Sequence, residues 1–341
     1  MPANRGPAHR LIGLALASAL GVIALSLACA LGATDGASPA FAETAPPAAK
    51  LTLSAPIAVR VSRAFTLRGT LSATASPGET VTVTLARKSG TSWSVATTSA
   101  VLIGANRAFS CPLKPLKRGH WRVSASLPAT STHTTATASA EIKVVGAKVI
   151  ALTFDDGPWP TSTAKIVRAL HAGDAQATFF MLGSQIGSRK KIARSVISNG
   201  NLVGVHSWNH ALMVRRSSAV NRRDLARCVT ALHAATGVTA HWFRPPYGST
   251  NSALKKAAKS QGLRQVIWTV DTLDWKYRVT SSVVSRALSG ARNGAIVLMH
   301  DGGGPRAATA AAVPIVIRKL RARGYDFVTL DEMAALGYKV R

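Results

Sequence analysis

The second half of the chain alternates between short apolar runs of strand length and longer amphipathic runs of helix length. The predicted strands cover residues 149–154, 177–182, 201–205, 241–243, 265–270, 295–299 and 326–330. The predicted helices between them cover residues 162–172, 190–198, 219–236, 252–260, 281–289 and 310–323. About seven strand–helix units predict an α/β fold with a parallel sheet, closed as a barrel or open and doubly wound. The sequence has no Gly-x-Gly-x-x-Gly dinucleotide motif, which favours the barrel.

The region before this pattern, residues 51–146, has a different composition. Thr, Ser and Val dominate, and apolar residues tend to alternate with polar ones, as in residues 81–85, 121–125 and 140–144. Turn signals such as Pro77-Gly78 separate these runs. The pattern predicts a small all-β sandwich, followed by an α/β domain over residues 147–341. The sandwich segment resembles the immunoglobulin-like modules appended to many bacterial surface enzymes. Carbohydrate binding and a plain spacer role are both open for the sandwich.

The first 42 residues have the composition of an export signal. Residues 1–10 carry two arginines and no acid, and residues 11–33 are almost wholly apolar and free of charge. Ala40-Phe41-Ala42 fits a signal peptidase site, and residues 43–50 resemble an extended linker. We therefore predict a cleaved signal peptide and a secreted or envelope-associated protein. The alternatives are an uncleaved membrane anchor, because the run is long enough to span a bilayer, and, less favoured, lipidation at Cys29.

The charge balance is strongly basic, with Lys+Arg 42 against Asp+Glu 14 and a formal net charge of +28. Such a surface predicts anionic partners. No nucleic-acid-binding module is recognisable and the leader directs export, so we expect an anionic envelope polymer or phospholipid surface rather than nucleic acid. Compositional bias is the alternative explanation. Cys111 and Cys228 lie in different predicted domains, which favours two isolated buried thiols over a disulfide.

In barrels of parallel strands, reactive side chains lie at the carboxyl ends of the strands. The first predicted strand ends in Asp155-Asp156-Gly157-Pro158, which places two adjacent carboxylates there. Neighbouring side chains on a regular strand diverge, but a Gly-Pro turn can break the alternation and let both carboxylates face the mouth of the barrel. A turn without chemical function is the alternative for these two residues.

The third predicted strand runs directly into His206-Ser207-Trp208-Asn209-His210. Imidazoles at i and i+4 share one side of a helical turn, which is a spacing that lets two ligands bind one metal ion. Together with an aspartate from another strand end, the pair predicts a site with two histidines, one carboxylate and open positions for water and substrate.

Three further strand ends carry polar clusters, and packing does not readily explain clusters at five strand ends. They are Arg244-Pro245-Pro246-Tyr247, Asp271-Thr272-Leu273-Asp274-Trp275 and Leu298-Met299-His300. With Thr153-Phe154-Asp155-Asp156 and the His206–His210 segment, the sequence closely resembles the NodB-type polysaccharide deacetylases, carbohydrate esterase family four. The resemblance covers residues 148–336, shows no departure at a motif position, and implies a distorted (β/α)7 barrel.

The resemblance also implies roles for individual residues. Asp156, His206 and His210 match the metal ligands, Asp155 the general base, and Arg244 the residue that orients this base. Asp271 is expected to pair with the general acid His300. The backbone N–H of Tyr247, next to Pro246, is expected to contact the oxyanion of the substrate, and Trp275 and Leu298 to line the pocket for the acetyl methyl group.

The expected reaction is removal of acetyl groups from N-acetylglucosamine or N-acetylmuramic acid units of peptidoglycan by a monomeric enzyme. Chitin oligomers and acetylated xylan are alternative substrates. Zinc is the favoured metal, with cobalt, nickel or manganese as alternatives. From another functional class, a non-catalytic cell-wall-binding protein is the competing hypothesis.

Overall fold

The computed structural model describes residues 45–72 and 74–340 of the 341-residue chain. The predicted signal peptide, residues 1–42, lies outside the described residues. From Pro46 onward the chain belongs to one compact unit. Within the described part, no helix has both the length and the apolar character needed to cross a membrane.

Residues 46–146, called the β-region below, form two sheets around a shared apolar core. The strands are β1 Leu51–Ser54, β2 Ala58–Arg60, β3 Phe65–Leu71, β4 Thr80–Ser89, β5 Ser92–Leu102, β6 Ala108–Leu113, β7 Gly119–Leu127 and β8 Ala136–Val145. Their orders are β1-β3-β6 and β2-β8-β7-β4-β5. Alternate residues of β7, from Trp121 to Leu127, are buried, as period-2 patterning requires. The immunoglobulin-like assignment of this region stays a prediction.

Residues 147–340, called the α/β region below, form a curled, parallel half-barrel sheet covered by helices. The strands are β9 Lys148–Gly157, β10 Ala177–Met181, β11 Leu202–Val205, β12 Trp242–Phe243, β13 Arg264–Gln265, β14 Val270–Asp271, β15 Ala295–His300 and β16 Tyr325–Phe327. Their order is β13-β12-β11-β10-β9-β15-β14, with β16 also paired to β9. The central strand β9 is buried along nearly its whole length, because neighbours cover it on both edges and both faces.

The helices are α1 Ser162–Ala172, α2 Gly183–Ile186, α3 Lys190–Ser198, α4 Ser218–Thr236, α5 Ser252–Lys259, α6 Asp274–Tyr277, α7 Thr280–Ser289, α8 Ala307–Ala322 and α9 Leu330–Ala335. Helices α1 and α3 have the predicted ends. The predicted strand 326–330 is wrong at its end, because Thr329 and Glu332 form a capping box that begins α9.

The predicted strand 265–270 is also wrong as a single element. Strand β13 pairs with β12 at one edge of the sheet, whereas β14 pairs with β15 at the opposite edge. Between them, the N–H of Val266 still donates to Phe243 O and the N–H of Thr269 already donates to Ile296 O. The chain therefore crosses from one edge of the sheet to the other within a few residues.

The β-region packs against the amino-terminal ends of the parallel strands. Arg60 donates to Ala147 O at 2.9 Å and to the Tyr338 hydroxyl at 2.6 Å. Asp326 accepts a hydrogen bond from the N–H of Gly146 at 2.6 Å, and Lys143 donates to Gln176 just before β10. The motif residues lie at the carboxyl ends, so the β-region occupies the opposite end of the sheet from them.

A buried histidine links two loops of the β-region. His133 Nε2 lies 2.8 Å from Glu79 Oε2, and His133 Nδ1 lies 3.0 Å from Thr134 O. Both ring nitrogens face acceptors, which favours the doubly protonated ring. The hydrogen bond to Glu79 is the main cause that raises the pKa of His133 above its ordinary value.

This pair predicts a pH-dependent contribution to stability. Because the pKa of His133 is raised in the folded state, protonation of His133 stabilises the folded protein. This stabilisation is fully present below the unfolded-state pKa of about 6.5 and is lost as pH rises through the folded-state pKa. His133→Gln should therefore destabilise the β-region most below about pH 6.5. Urea unfolding across this range measures the effect, with a substitution of the exposed His171 of α1, His171→Gln, as control. A destabilisation that does not depend on pH would contradict the account.

Candidate active site

The two adjacent carboxylates at the end of β9 face the same centre because the strand contains a bulge. Asp155 pairs with Phe180 and Gly157 pairs with Met181, so Asp156 has no partner in the register. Asp156 has a φ of 76°, which turns its side chain out of the normal alternation. His206 Nε2 consequently lies 3.8 Å from Asp155 Oδ2 and 3.5 Å from Asp156 Oδ1. The break in alternation expected from the sequence occurs at Asp156 itself.

Residues 206–210, called the ligand loop below, bring two histidines to Asp156. His210 Nε2 lies 3.4 Å from Asp156 Oδ1, and the candidate ligand atoms of Asp156, His206 and His210 all lie within 4.8 Å of one another. The predicted helical turn is wrong, since Ser207 and His210 have φ values of 66° and 60° and the loop is not helical. A tight turn in which Ser207 Oγ accepts from the N–H of His210 brings the imidazoles together instead.

The three side chains fit a divalent cation. Asp156 Oδ1 is buried and has no hydrogen-bond partner among the residues that the structure describes. His206 Nδ1 lies 2.7 Å from Arg244 O, which can only accept, so His206 donates there and presents the lone pair of Nε2 to the cluster. Burial lowers the pKa of His206 to about 3, which keeps the ring neutral as a metal ligand must be. Two imidazoles and a carboxylate are a donor set typical of zinc and its neighbours.

A buried ion pair holds the neighbouring carboxylate. Arg244 follows β12, is fully buried, and donates from Nη1 to Asp155 Oδ1 at 2.9 Å and to Thr153 Oγ1 at 2.7 Å. Its guanidinium carbon lies 4.3 Å from the ring centroid of Phe180. Burial raises the pKa of Asp155, and the charge of Arg244 opposes this effect. The hydrogen bond from Arg244 therefore restricts the orientation of the Asp155 carboxylate.

The carboxylate that contacts His300 is Asp274, not the predicted Asp271. His300 Nδ1 lies 2.7 Å from Asp274 Oδ1, and the N–H of His300 donates to Asp274 Oδ2 at 2.9 Å. Asp271 instead accepts from the N–H of Leu273 at 2.8 Å. Leu273 has a φ of 53°, and this turn aims Asp274, the first residue of α6, at the end of β15. Both aspartates belong to one motif, and spacing alone does not distinguish them.

The Asp274 carboxylate sets the protonation of His300. Burial alone would lower the pKa of His300, but the hydrogen bond and the charge of Asp274 outweigh it and raise the pKa. Asp274 is itself buried and also accepts a hydrogen bond from Thr309 Oγ1 at 2.7 Å. The site therefore combines a neutral imidazole, His206, with an imidazole that favours the protonated form, His300.

The residues predicted to contact the substrate lie close in the chain to Arg244, Asp274 or His300. Tyr247 has a φ of 62° in the short helix Pro246–Gly248, and its ring meets that of His210 at 4.6 Å between centroids. Tyr247 is 64% exposed and Trp275, on α6 after Asp274, is 47% exposed, whereas Pro246 is buried. Leu298 is 2% exposed within β15, two residues before His300.

The loop after His300 lies against the side chain of Asp156, and the sequence motifs do not predict this contact. A Cβ atom at Gly303 would lie 2.4 Å from Asp156 Oδ2, so only glycine permits this approach. Asp301 is buried, and burial is the main cause that raises its pKa to about 7, with Asp156 and Asp155 adding to it. The signal available in the sequence was the run Asp301-Gly302-Gly303-Gly304 directly after the last motif.

Comparison with known proteins shows which family the α/β region resembles. The family model for polysaccharide deacetylase matches residues 143–266. The chain is 39% identical over 186 residues to the peptidoglycan-N-acetylglucosamine deacetylase PgdA of Listeria monocytogenes, a match that covers 54% of this chain and 39% of that protein. It is 35% identical over 200 residues to a peptidoglycan-N-acetylglucosamine deacetylase of Bacillus cereus, covering 56% of this chain and 90% of that protein.

A solved structure agrees with these sequence matches. The family 4 acetyl xylan esterase from Clostridium thermocellum in complex with a cobalt ion has a TM-score of 0.52 and 32% identity, covering 55% of this chain and 90% of that chain. The chain belongs to the polysaccharide deacetylase family. It spans about two fifths of the length of the Listeria protein.

The Asp274–His300 contact can be tested without turnover. Asp274→Asn removes the charge that opposes burial, so the pKa of His300 should fall below its value in the unchanged protein. Asp271→Asn should leave it unchanged. NMR titration of the His300 ring resonances in both metal-free variants measures the difference. Equal shifts in the two variants, or a shift only with Asp271→Asn, would contradict the assignment.

Proposed function

We propose that the protein is a metal-dependent deacetylase that hydrolyses the N-acetyl groups of N-acetylglucosamine or N-acetylmuramic acid units in peptidoglycan. The observation that carries the proposal is the cluster of the buried Asp156 and His206 with the half-buried His210, with Asp155 beside it. The names of the Listeria and Bacillus cereus relatives support peptidoglycan as the substrate. Chitin oligomers and acetylated xylan are the alternative substrates, and the Clostridium thermocellum structure is an esterase of the latter kind. We also propose that the curled sheet is the distorted (β/α)7 barrel implied by the motifs.

Asp156, His206 and His210 would hold the metal, for which we propose zinc. When bound, a divalent cation supplies positive charge that polarises the acetamide carbonyl and makes a water molecule more acidic. The nitrogen-rich ligand set favours zinc, and the cobalt ion in the Clostridium thermocellum structure supports cobalt as an alternative.

The protein's own residues move the protons. Asp155, oriented by Arg244, accepts a proton from the attacking water. Negative charge then develops on the carbonyl oxygen, where the backbone N–H of Tyr247 is proposed to donate a hydrogen bond. His300, whose protonated form Asp274 stabilises, donates a proton to the departing sugar amine. Trp275 and Leu298 are proposed to line the pocket for the acetyl methyl group. Acetate and an amino sugar are the products.

We further propose that the protein is exported, and that the β-region is a spacer rather than part of the substrate site. The leader composition supports export. The hydrogen bonds of Arg60 and Lys143 hold the β-region at the amino-terminal ends of the strands, away from Asp155 and His206. A spacer in this position would keep the mouth of the site clear for a large polymer.

The two adjacent aspartates should respond differently to substitution. Asp156→Asn removes a charged ligand and should reduce zinc content together with activity. Asp155→Asn should retain zinc but lower turnover about a hundredfold or more, since it removes the general base. Metal content by mass spectrometry and acetate release from peptidoglycan measure both, with Asp271→Asn as control. If Asp155→Asn lost its zinc while Asp156→Asn kept zinc and activity, the assigned roles would be wrong.

A further inference from the structure

The ligand loop has a second face, which lines a surface cavity of about 300 Å³. His206 and His210 face Asp156, whereas Trp208 and Asn209 line the cavity. Its other wall is formed by the turn before α4 and the first turns of this helix. This cavity, called the Trp208 pocket below, therefore shares a five-residue loop with the proposed metal ligands.

The Trp208 pocket has positive charge that the protein does not neutralise. Its one acid, Asp224, is already engaged, because it accepts from the N–H of Trp208 at 2.8 Å and from Arg216 at 3.2 Å. Arg223 and Arg227 also line the cavity, are exposed, and form no ion pair within residues 45–72 and 74–340. They are four residues apart on α4, a spacing at which like charges repel. A bound anion would relieve this repulsion.

One of the two guanidinium groups is held in place. The guanidinium carbon of Arg227 lies 3.5 Å from the ring centroid of Trp208, close enough for stacking and a cation–π contact. Trp208 is itself fixed, because its ring fits against Gly183, where a Cβ atom would lie 2.5 Å from Trp208 Cε3. A stacked guanidinium keeps its N–H groups in the plane of the fork, where they can bind a planar carboxylate with two hydrogen bonds.

We propose that the Trp208 pocket binds a carboxylate on a sugar unit beside the one that is deacetylated. The inference rests on the proposed function, because it assigns the pocket to the same polymer. In peptidoglycan strands whose stem peptides have been removed, muramic acid carries a free lactyl carboxylate on alternate units, whereas chitin carries none. Arg223 and Arg227 thus favour strands with free lactyl carboxylates over neutral polymers of N-acetylglucosamine.

The experiment uses two matched substrates. One is peptidoglycan glycan strands freed of stem peptides, with their lactyl carboxylates intact, and the other is the same strands with the carboxylates converted to methylamides. The pocket variant is Arg223→Gln/Arg227→Gln. The control, Arg222→Gln/Arg318→Gln, removes the same charge from exposed positions outside the cavity. Acetate release by the zinc-loaded enzymes gives kcat/KM for each pair.

For the intact strands, kcat/KM of the pocket variant should fall about tenfold, which corresponds to about 1.4 kcal/mol. It should not change for the methylamide strands, and the control variant should resemble the unchanged enzyme with both. Equal losses in the pocket and control variants, or on both substrates, would overturn the inference.

Binding of the same strands to metal-free protein, measured by calorimetry, separates this inference from the proposed function. If the unchanged enzyme released no acetate from either substrate, the proposed function would fail. Weaker binding of only the intact strands by the pocket variant would still support the pocket. If inorganic phosphate competed with the intact strands and acetate did not, the pocket would be a phosphate site and the carboxylate assignment would be wrong.

Discussion

The buried carboxylates at one end of the sheet differ in how completely ion pairs and hydrogen bonds offset the cost of burying their charge. This difference determines which groups surround each of them. Burying a charge is costly unless it is paired. Asp155 forms an ion pair with the buried Arg244, in which Nη1 donates a hydrogen bond to Asp155 Oδ1 at 2.9 Å. Asp274 has His300 and Thr309. Asp156 has no arginine or lysine as an ion-pair partner among the described residues, since its contacts of this kind are to His206 at 3.5 Å and His210 at 3.4 Å, and its Oδ1 accepts no hydrogen bond from them. A divalent cation supplies the missing charge, which is why we place the metal there and the general base one residue earlier.

Much of this arrangement follows from the sequence, because strand ends can be located from apolar runs. The alternation of strand and helix patterns places Asp155, His206, Arg244 and His300 at the carboxyl ends of parallel strands. The ends of α1 and α3 also follow from periodicity and flanking residues. The sequence also contains the signal for α9, because Thr329 and Glu332 have the spacing of a capping box, although they overlap an apolar run that resembles a strand.

The sequence does not predict features that depend on a single backbone angle or on pairing between strands that are far apart in the chain. The left-handed conformation of Leu273 determines that Asp274, and not Asp271, reaches His300. Positive φ angles at Ser207 and His210 make the ligand loop a tight turn, although the i, i+4 spacing of the histidines suggested a helix. Residues 265–270 form two strands instead of one because they pair with strands at opposite edges of the sheet. The local sequence does not indicate with which strand each residue pairs.

The most direct test of the account is a crystal structure of the zinc-soaked protein with anomalous scattering data collected at the zinc edge. We expect an anomalous peak at about 2.0–2.2 Å from Asp156, His206 and His210 together, which is the usual range for zinc with nitrogen and oxygen ligands. Asp155 should lie outside this first set of ligands and keep its contact with Arg244. No peak at this cluster, or a peak bound by Asp155 in place of Asp156, would contradict the central claim.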